Sequence, residues 1–200
     1  MAEAPPENWY LILHPRPAYI MVSGLEEQKL GVMAASWVSP ASEEPPRITL
    51  AIDVESYTYS VIKEIKDFTV NIVFNDLIDL VWDVGRVSGH EVDKVSKFKI
   101  QLTKSRKVRS PRLANAKAVI EASLWKEEVL GDTSLIIADV LDAYVLEGDL
   151  FDWRYGWRVD RAQIPLHLGG RAFTSLGLSL IHISEPTRPR LISYAVFCLK

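Results

Sequence analysis

"SWVSPASEEPP", residues 36–46, is the stretch on which the fold turns. Apolar, strand-like runs flank it, "GVMAA" (31–35) before and "RITLAID" (47–53) after. Between them stand three serines, three prolines and two glutamates. Proline fixes φ and removes an N–H, and serine hydroxyls compete for backbone partners, so the segment reads as a bend between two strands. A tight bend also turns backbone N–H groups outward. Beside the hydroxyls of Ser36, Ser39 and Ser42 they can hold an anion without lysine or arginine. Pro40, Pro45 and Pro46 restrict the loop, so less ordering entropy is lost on binding. Residue types alone leave two readings open. One is a serine- and proline-rich turn carrying a core tryptophan. The other is an anion-holding loop with Trp37 as a flat apolar wall.

Outward from this bend the pattern is mostly strand. "AYIMVSG" (18–24) is a continuous apolar run suited to a buried strand, and "GLEEQKLG" (24–31) turns it into "VMAASW" (32–37), a hairpin. "RITLAID" alternates, with Ile48, Leu50 and Ile52 on one face and Thr49, Ala51 and Asp53 on the other. "FTVNIVF" repeats the alternation with Phe68, Val70, Ile72 and Phe74. "SYTYSVIKEIKD" (56–67) predicts a helix capped by Ser56, and "NDLIDLVWDVG" (75–85) a second, capped by Asn75 and ended by Gly85. "HEVDKVSKF" (90–98) gives a short helical turn. "AVIEASLWKEEVLGDTSLIIADVLDAYVL" (118–146) fits either a hairpin about "LGDT" or a helix followed by a strand. Its β-branched residues favour the hairpin. Many strands, few helices and no regular βαβ alternation predict a mainly β fold, a closed or half-closed antiparallel sheet with peripheral helices.

The 200 residues suffice for one domain with a substantial core. A net charge of −3 advertises neither a nucleic-acid nor a membrane surface, and "KSRKVRSPR" (104–112) reads as a solvated loop. No apolar run approaches the roughly 20 residues a bilayer needs, and "MAEAPPENWY" lacks the character of a signal peptide. The near absence of cysteine excludes a disulfide framework and fits a cytoplasmic protein.

The last 23 residues, "LSLIHISEPTRPRLISYAVFCLK" (178–200), look like a translated transposase-type sequencing adapter rather than any protein family. The expected native domain is therefore 1–177, truncated at its C-terminus. Setting the tail aside removes Cys198 and His182 and moves the net charge from −3 to −5.

Motif chemistry is sparse. No Gly-x-Gly-x-x-Gly follows a strand, no phosphate-loop lysine is present, and no nucleophile elbow marks a serine. His14, His90 and His167 are far apart and have no carboxylates at ligand spacing, so no metal site is expected.

Five segments in order resemble the flavin reductase-like, FMN-binding split-barrel family, most closely its flavoredoxin-like branch. They are "HPRPAYIMVSG" (14–24), "ASWVSPASEEPPRITLAI" (35–52), "YTYSVIKEIKDFTVNIV" (57–73), "VGRVSGHEVDKVSKF" (84–98) and "WRVDRAQIPLHLGGRAFTSLG" (157–177). The chain departs from the pattern at Val32–Met33, where a polar residue is common, and at His90, where arginine is common. Arg171 and Phe173 stand where asparagine and tyrosine often follow Gly-Gly.

The resemblance implies an antiparallel split β-barrel and a homodimer with one FMN per subunit near the interface. The phosphate would meet Ser39 and Ser42, helped by Thr58 and Lys94. Backbone about Ser36, Trp37 and Val38 would lie along the isoalloxazine, with an N–H near flavin N5. His90 would reach the phosphate or ribityl chain. The implied activity is NAD(P)H-dependent flavin reduction, hydride passing from NADH or NADPH to flavin N5 and electrons leaving to free flavin, oxygen or a partner protein. No catalytic side chain is implied. The alternatives are a flavoredoxin-like electron carrier with little nicotinamide turnover and a non-redox split barrel that binds small molecules.

Overall fold

The computed structural model describes residues 6–25, 28–170 and 172–175, so the adapter-like segment 178–200 lies outside the described residues. Seven strands make the principal sheet: β1 (Tyr19–Gly24), β2 (Leu30–Ala35), β3 (Val38–Ser42), β4 (Arg47–Asp53), β5 (Asp67–Ile72), β6 (Ala118–Leu130) and β7 (Thr133–Val145). Every pairing is antiparallel, in the order β2-β1-β5-β6-β7-β4-β3.

That order makes β2 and β3 the two edges, yet only Ser36 and Trp37 separate them in the chain. In a flat sheet six spacings would hold the edges roughly 29 Å apart. Three Cα–Cα steps reach about 11 Å at most. The sheet must therefore curl until its edges meet at this link, while β2 and β3 stay unpaired with each other. The result is a split antiparallel β-barrel with its seam at Ser36–Trp37.

Residue pattern explains which strands curl where. In β1, Ile20 and Val22 join one apolar cluster and Met21 the other, so both faces are buried and the run is apolar throughout. In β4 only Ile48, Leu50 and Ile52 enter the barrel core, as the alternation predicts. β5 differs: Thr69 and Asn71, its polar positions, are buried as well. They are satisfied there, Thr69 donating to the Pro111 carbonyl (2.9 Å), Asn71 donating to that of Ile20 (3.0 Å) and accepting from the Leu113 N–H (2.8 Å). The predicted hairpin at 118–146 is β6–β7. Register shifts at Ile137/Ala138 and Val140/Asp142 let these two 13-residue strands bend.

Helix α1 (Tyr57–Ile65) starts where Ser56 accepts the Tyr59 N–H. Helix α2 (Ile78–Arg86) is preceded by a 3-10 turn at Asn75–Leu77. Asn75 makes no cap, and Gly85 lies within the helix instead of ending it. A short α3 (Lys94–Lys97) is capped by Asp93. The basic loop 104–112 is not simply solvated. Its N–H groups at Arg106, Lys107 and Val108 converge on the fully buried Glu121 of β6. A final hairpin, β8 (Pro165–Gly169) and β9 (Ala172–Ser175), pairs with the two-residue strand Arg16–Pro17.

Candidate functional site

A cleft of about 450 Å³ opens where β2, α2 and the β8–β9 hairpin converge beside the seam. Its lining is sorted by size. Ala18, Ala34, Ala35, Gly85 and Gly170 present almost no side chain, while Trp82 and Phe173 are aromatic, Val81 is aliphatic, and Ser36, Arg86 and His167 are polar. Trp82, Gly85 and Arg86 share the face of α2 that helical spacing predicts. Gly85 faces β2 where α2 crosses it: a Cβ on it would sit 3.4 Å from the Ala34 Cβ, an ordinary contact distance. Five small residues and two aromatic rings among eleven lining residues leave room for a planar group.

The polar groups are held in place. Gly169 and Gly170, both at positive φ (109° and 54°), turn β8 into β9. This brings the Gly170 carbonyl to 3.2 Å from His167 Nε2. A carbonyl only accepts, so Nε2 carries a proton, and Nδ1 of the neutral ring is an acceptor. The Ser36 hydroxyl, 3.2 Å away, donates to it. His14 Nδ1 donates to the His167 carbonyl (2.9 Å), and the two rings meet edge-on with centroids 5.0 Å apart. His14 Nε2 is buried with no hydrogen-bond partner among the described residues. Arg86 Nε pairs with Asp83 at 2.9 Å.

Of the eight residues singled out in the sequence, Ser36 lines the cleft. Trp37 sits at the seam, its carbonyl accepting from the Ala51 N–H and its ring edge-on to Tyr10 (centroids 5.4 Å apart). Val38, Ser39 and Ser42 pair with Leu50, Thr49 and Arg47 as edge strand β3, and the Ser39 hydroxyl donates to the Pro40 carbonyl.

Thr58 lies in α1, His90 in the loop after α2, and Lys94 begins α3, all outside the cleft lining. Thr58 is buried against Gly31 of β2. His90 Nε2 donates to the Glu55 carbonyl at 3.2 Å, and its ring meets Tyr57 edge-on. Lys94 Nζ donates to the Val84 carbonyl at 2.6 Å. Burial brings its pKa down to about 8. Gly31 and Ala34 are three residues apart on β2, about 10 Å. The odd separation puts them on opposite faces, so Thr58 meets β2 on the face away from α2.

Sequence reasoning missed Arg86, Trp82, Phe173 and the pairing of His14 with His167. The spacing of Trp82, Gly85 and Arg86 carried a signal, since glycine inside a helical pattern marks a close approach. The histidine pair carried none, because 153 residues separate its members.

Comparison with known proteins fits this geometry. Residues 11–176 match the family described as flavin reductase like domain. An uncharacterized protein of Archaeoglobus fulgidus is 37% identical over 144 residues, 72% of this chain and 79% of its own. Among solved structures, Pseudomonas fluorescens 2-nitrobenzoate 2-nitroreductase superposes with a TM-score of 0.77 at 22% identity, over 96% of this chain and 98% of that one. An FMN-binding protein of Thermus thermophilus gives 0.74 at 22% identity, over 88% and 93%. With a seam-closed barrel, a cleft beside the seam and a family match covering most of its length, this chain belongs to the flavin reductase-like domain family.

Proposed function

We propose that the protein is an FMN-binding oxidoreductase that takes hydride from NADH or NADPH, and that the cleft beside Ser36 seats the flavin ring. The observation that carries this reading is the lining of the cleft. Ala18, Ala34, Ala35, Gly85 and Gly170 leave the space that larger side chains would fill, and Trp82 and Phe173 border it. Small side chains and two rings around a cleft of this size leave room for a planar tricyclic group. Bound there, flavin would supply the two-electron and one-electron redox chemistry.

The chain's own part is to orient and to exclude water. Ser36 offers its hydroxyl to the ring edge, and Arg86 offers the cationic side chain in the cleft lining. For the phosphate, Ser39 and Ser42 on β3 and the group Thr58, His90 and Lys94 beside β2 are the two candidate holders. Residues 1–177 constitute the flavin-binding domain on this reading. A second copy of the chain would cover exposed apolar side chains such as Trp125 on β6 and Val129 and Leu130 at the tip of the β6–β7 hairpin, forming a homodimer. Free flavin, oxygen or a partner protein then receives the electrons.

An anaerobic titration tests the redox reading. Protein loaded with FMN should bleach in the flavin absorbance bands on addition of one of the two nicotinamides. A yellow protein that neither NADH nor NADPH bleaches would be an electron carrier instead. A colourless protein that ignores added FMN would end the flavin reading.

A further inference from the structure

We propose that Ser36 and His167 form a protonation-controlled hydrogen-bond switch that sets whether the cleft offers its occupant a donor or an acceptor. The inference rests on the reading that this cleft seats a flavin ring.

His167 Nε2 is committed to the Gly170 carbonyl and carries its proton in either charge state (3.2 Å). The only ring atom that titrates is then Nδ1, the atom facing Ser36 (3.2 Å). When the ring is neutral, Nδ1 accepts the hydroxyl proton, and Ser36 shows the cleft only lone pairs. When the ring is protonated, Nδ1–H donates to Ser36 Oγ, and the hydroxyl proton turns to the cleft. One proton on the imidazole thus reverses the polarity of a group at the cleft wall.

Several ionisable groups surround the imidazole. Arg16 is its cross-strand partner in the neighbouring strand. His14 lies edge-on and donates to the His167 carbonyl. Arg86 shares the cleft from α2. Phe173 of β9 packs on the ring without charge (centroids 5.1 Å apart). No carboxylate hydrogen-bonds either imidazole among the described residues. Protonation is therefore opposed by the two arginines and favoured only by Ser36 and an acceptor lying in the cleft.

The edge of oxidised isoalloxazine carries more acceptors, its ring nitrogens and two carbonyls, than donors, its single N–H. An acceptor facing Ser36 favours the protonated ring. By linkage the ligand should bind more tightly at low pH and take up a proton as it binds.

The test uses riboflavin, whose lack of phosphate removes a second titrating group, and full-length protein freed of flavin. Affinity is read by quenching of flavin fluorescence at pH 5.5 and pH 8, with proton uptake read by calorimetry in two buffers. The expected result is about tenfold tighter binding at the lower pH, the scale of one mispolarised hydrogen bond. That dependence should vanish in Ser36→Ala and in His167→Gln. Equal affinity at both pH values in the parent protein, or a dependence that survives Ser36→Ala, overturns the switch while leaving the flavin reading intact. Failure of both riboflavin and FMN to bind at either pH overturns both. Nitrogen NMR of the flavin-free protein gives an independent check: at pH 8 His167 should be the Nε2–H tautomer, and finding Nδ1–H would refute the inference.

Discussion

Gly85→Leu separates the folding of this protein from its proposed function, because the two should move in opposite directions. Gly85 stands inside α2 with ordinary helical φ, exposed on the cleft side. Glycine in a helix interior costs about 0.8 kcal/mol relative to a good helix former, and leucine is one of these. The new Cβ would sit 3.4 Å from that of Ala34, an ordinary contact, with the rest of the side chain turned into the open cleft. Stability should therefore rise by about 0.5–0.8 kcal/mol, or a Tm gain of about 1–3 °C for a chain of this size. The four added carbon atoms would stand in the slot proposed for the flavin ring. Forcing a ligand past such an obstruction costs about 1–3 kcal/mol, a Kd for FMN about 5- to 150-fold weaker. Calorimetric melting of the flavin-free protein reads the first effect, and quenching of flavin fluorescence the second. A folded variant that binds FMN with parental affinity would show that the ring lies elsewhere. A variant that loses stability would show that α2 does not cross β2 as described.

Further outcomes are expected at other positions. Glu121→Gln should destabilise the protein by about 2–4 kcal/mol in urea melts, because an amide must turn its NH₂ toward the Arg106 N–H or the Lys107 and Val108 N–H groups, leaving a buried donor unmet. Burial pushes the Glu121 carboxyl up, but hydrogen bonds from three backbone N–H groups and Tyr144 outweigh it and hold the pKa below the usual carboxylate value. Its contribution is thus full above the unfolded-state pKa and is lost as pH falls through the lower folded value, so the parent's advantage over Glu121→Gln should shrink in acid melts. Ser39→Ala with Ser42→Ala should weaken FMN binding by about 1–3 kcal/mol in calorimetric titrations. Unchanged affinity would move the phosphate to the group of Thr58, His90 and Lys94. Deleting residues 178–200 should leave the melting temperature and flavin affinity unchanged, and loss of soluble protein would show that the segment belongs to the fold.

The strands were legible wherever one face meets water. Ile48, Leu50 and Ile52 alternate with outward residues, and the alternation alone assigns β4 its buried face. β5 hid its second buried face, since Thr69 and Asn71 look like solvent positions until Pro111, Ile20 and Leu113 are seen to satisfy them. Glu121 was hidden for the same reason. A buried carboxylate is betrayed only by the loop that folds over it, and "KSRKVRSPR" looks like surface by composition. Ser36 was found because hydroxyls and prolines cluster about it. His167 and Arg86 were not, because what gives them a role is proximity across chain separations of 131 and 50 residues, which no local pattern encodes.

The seam explains why one short link serves both the fold and the site. Closing the barrel requires Ser36 and Trp37 to bridge the sheet edges, and their carbonyls are consumed in doing so. Arg16 Nε donates to the Ser36 carbonyl at 3.0 Å, and the Ala51 N–H donates to that of Trp37 at 2.9 Å. With these acceptors satisfied, the Ser36 hydroxyl is the group of the link that faces the cleft, and His167 alone dictates its direction among the described residues. The strand beneath must stay small at Ala34 and Ala35 because α2 packs on one and the barrel core on the other. The small residues at this end of β2 thus follow from what packs on its two faces, and the polar chemistry at the seam follows from which groups closure leaves unspent.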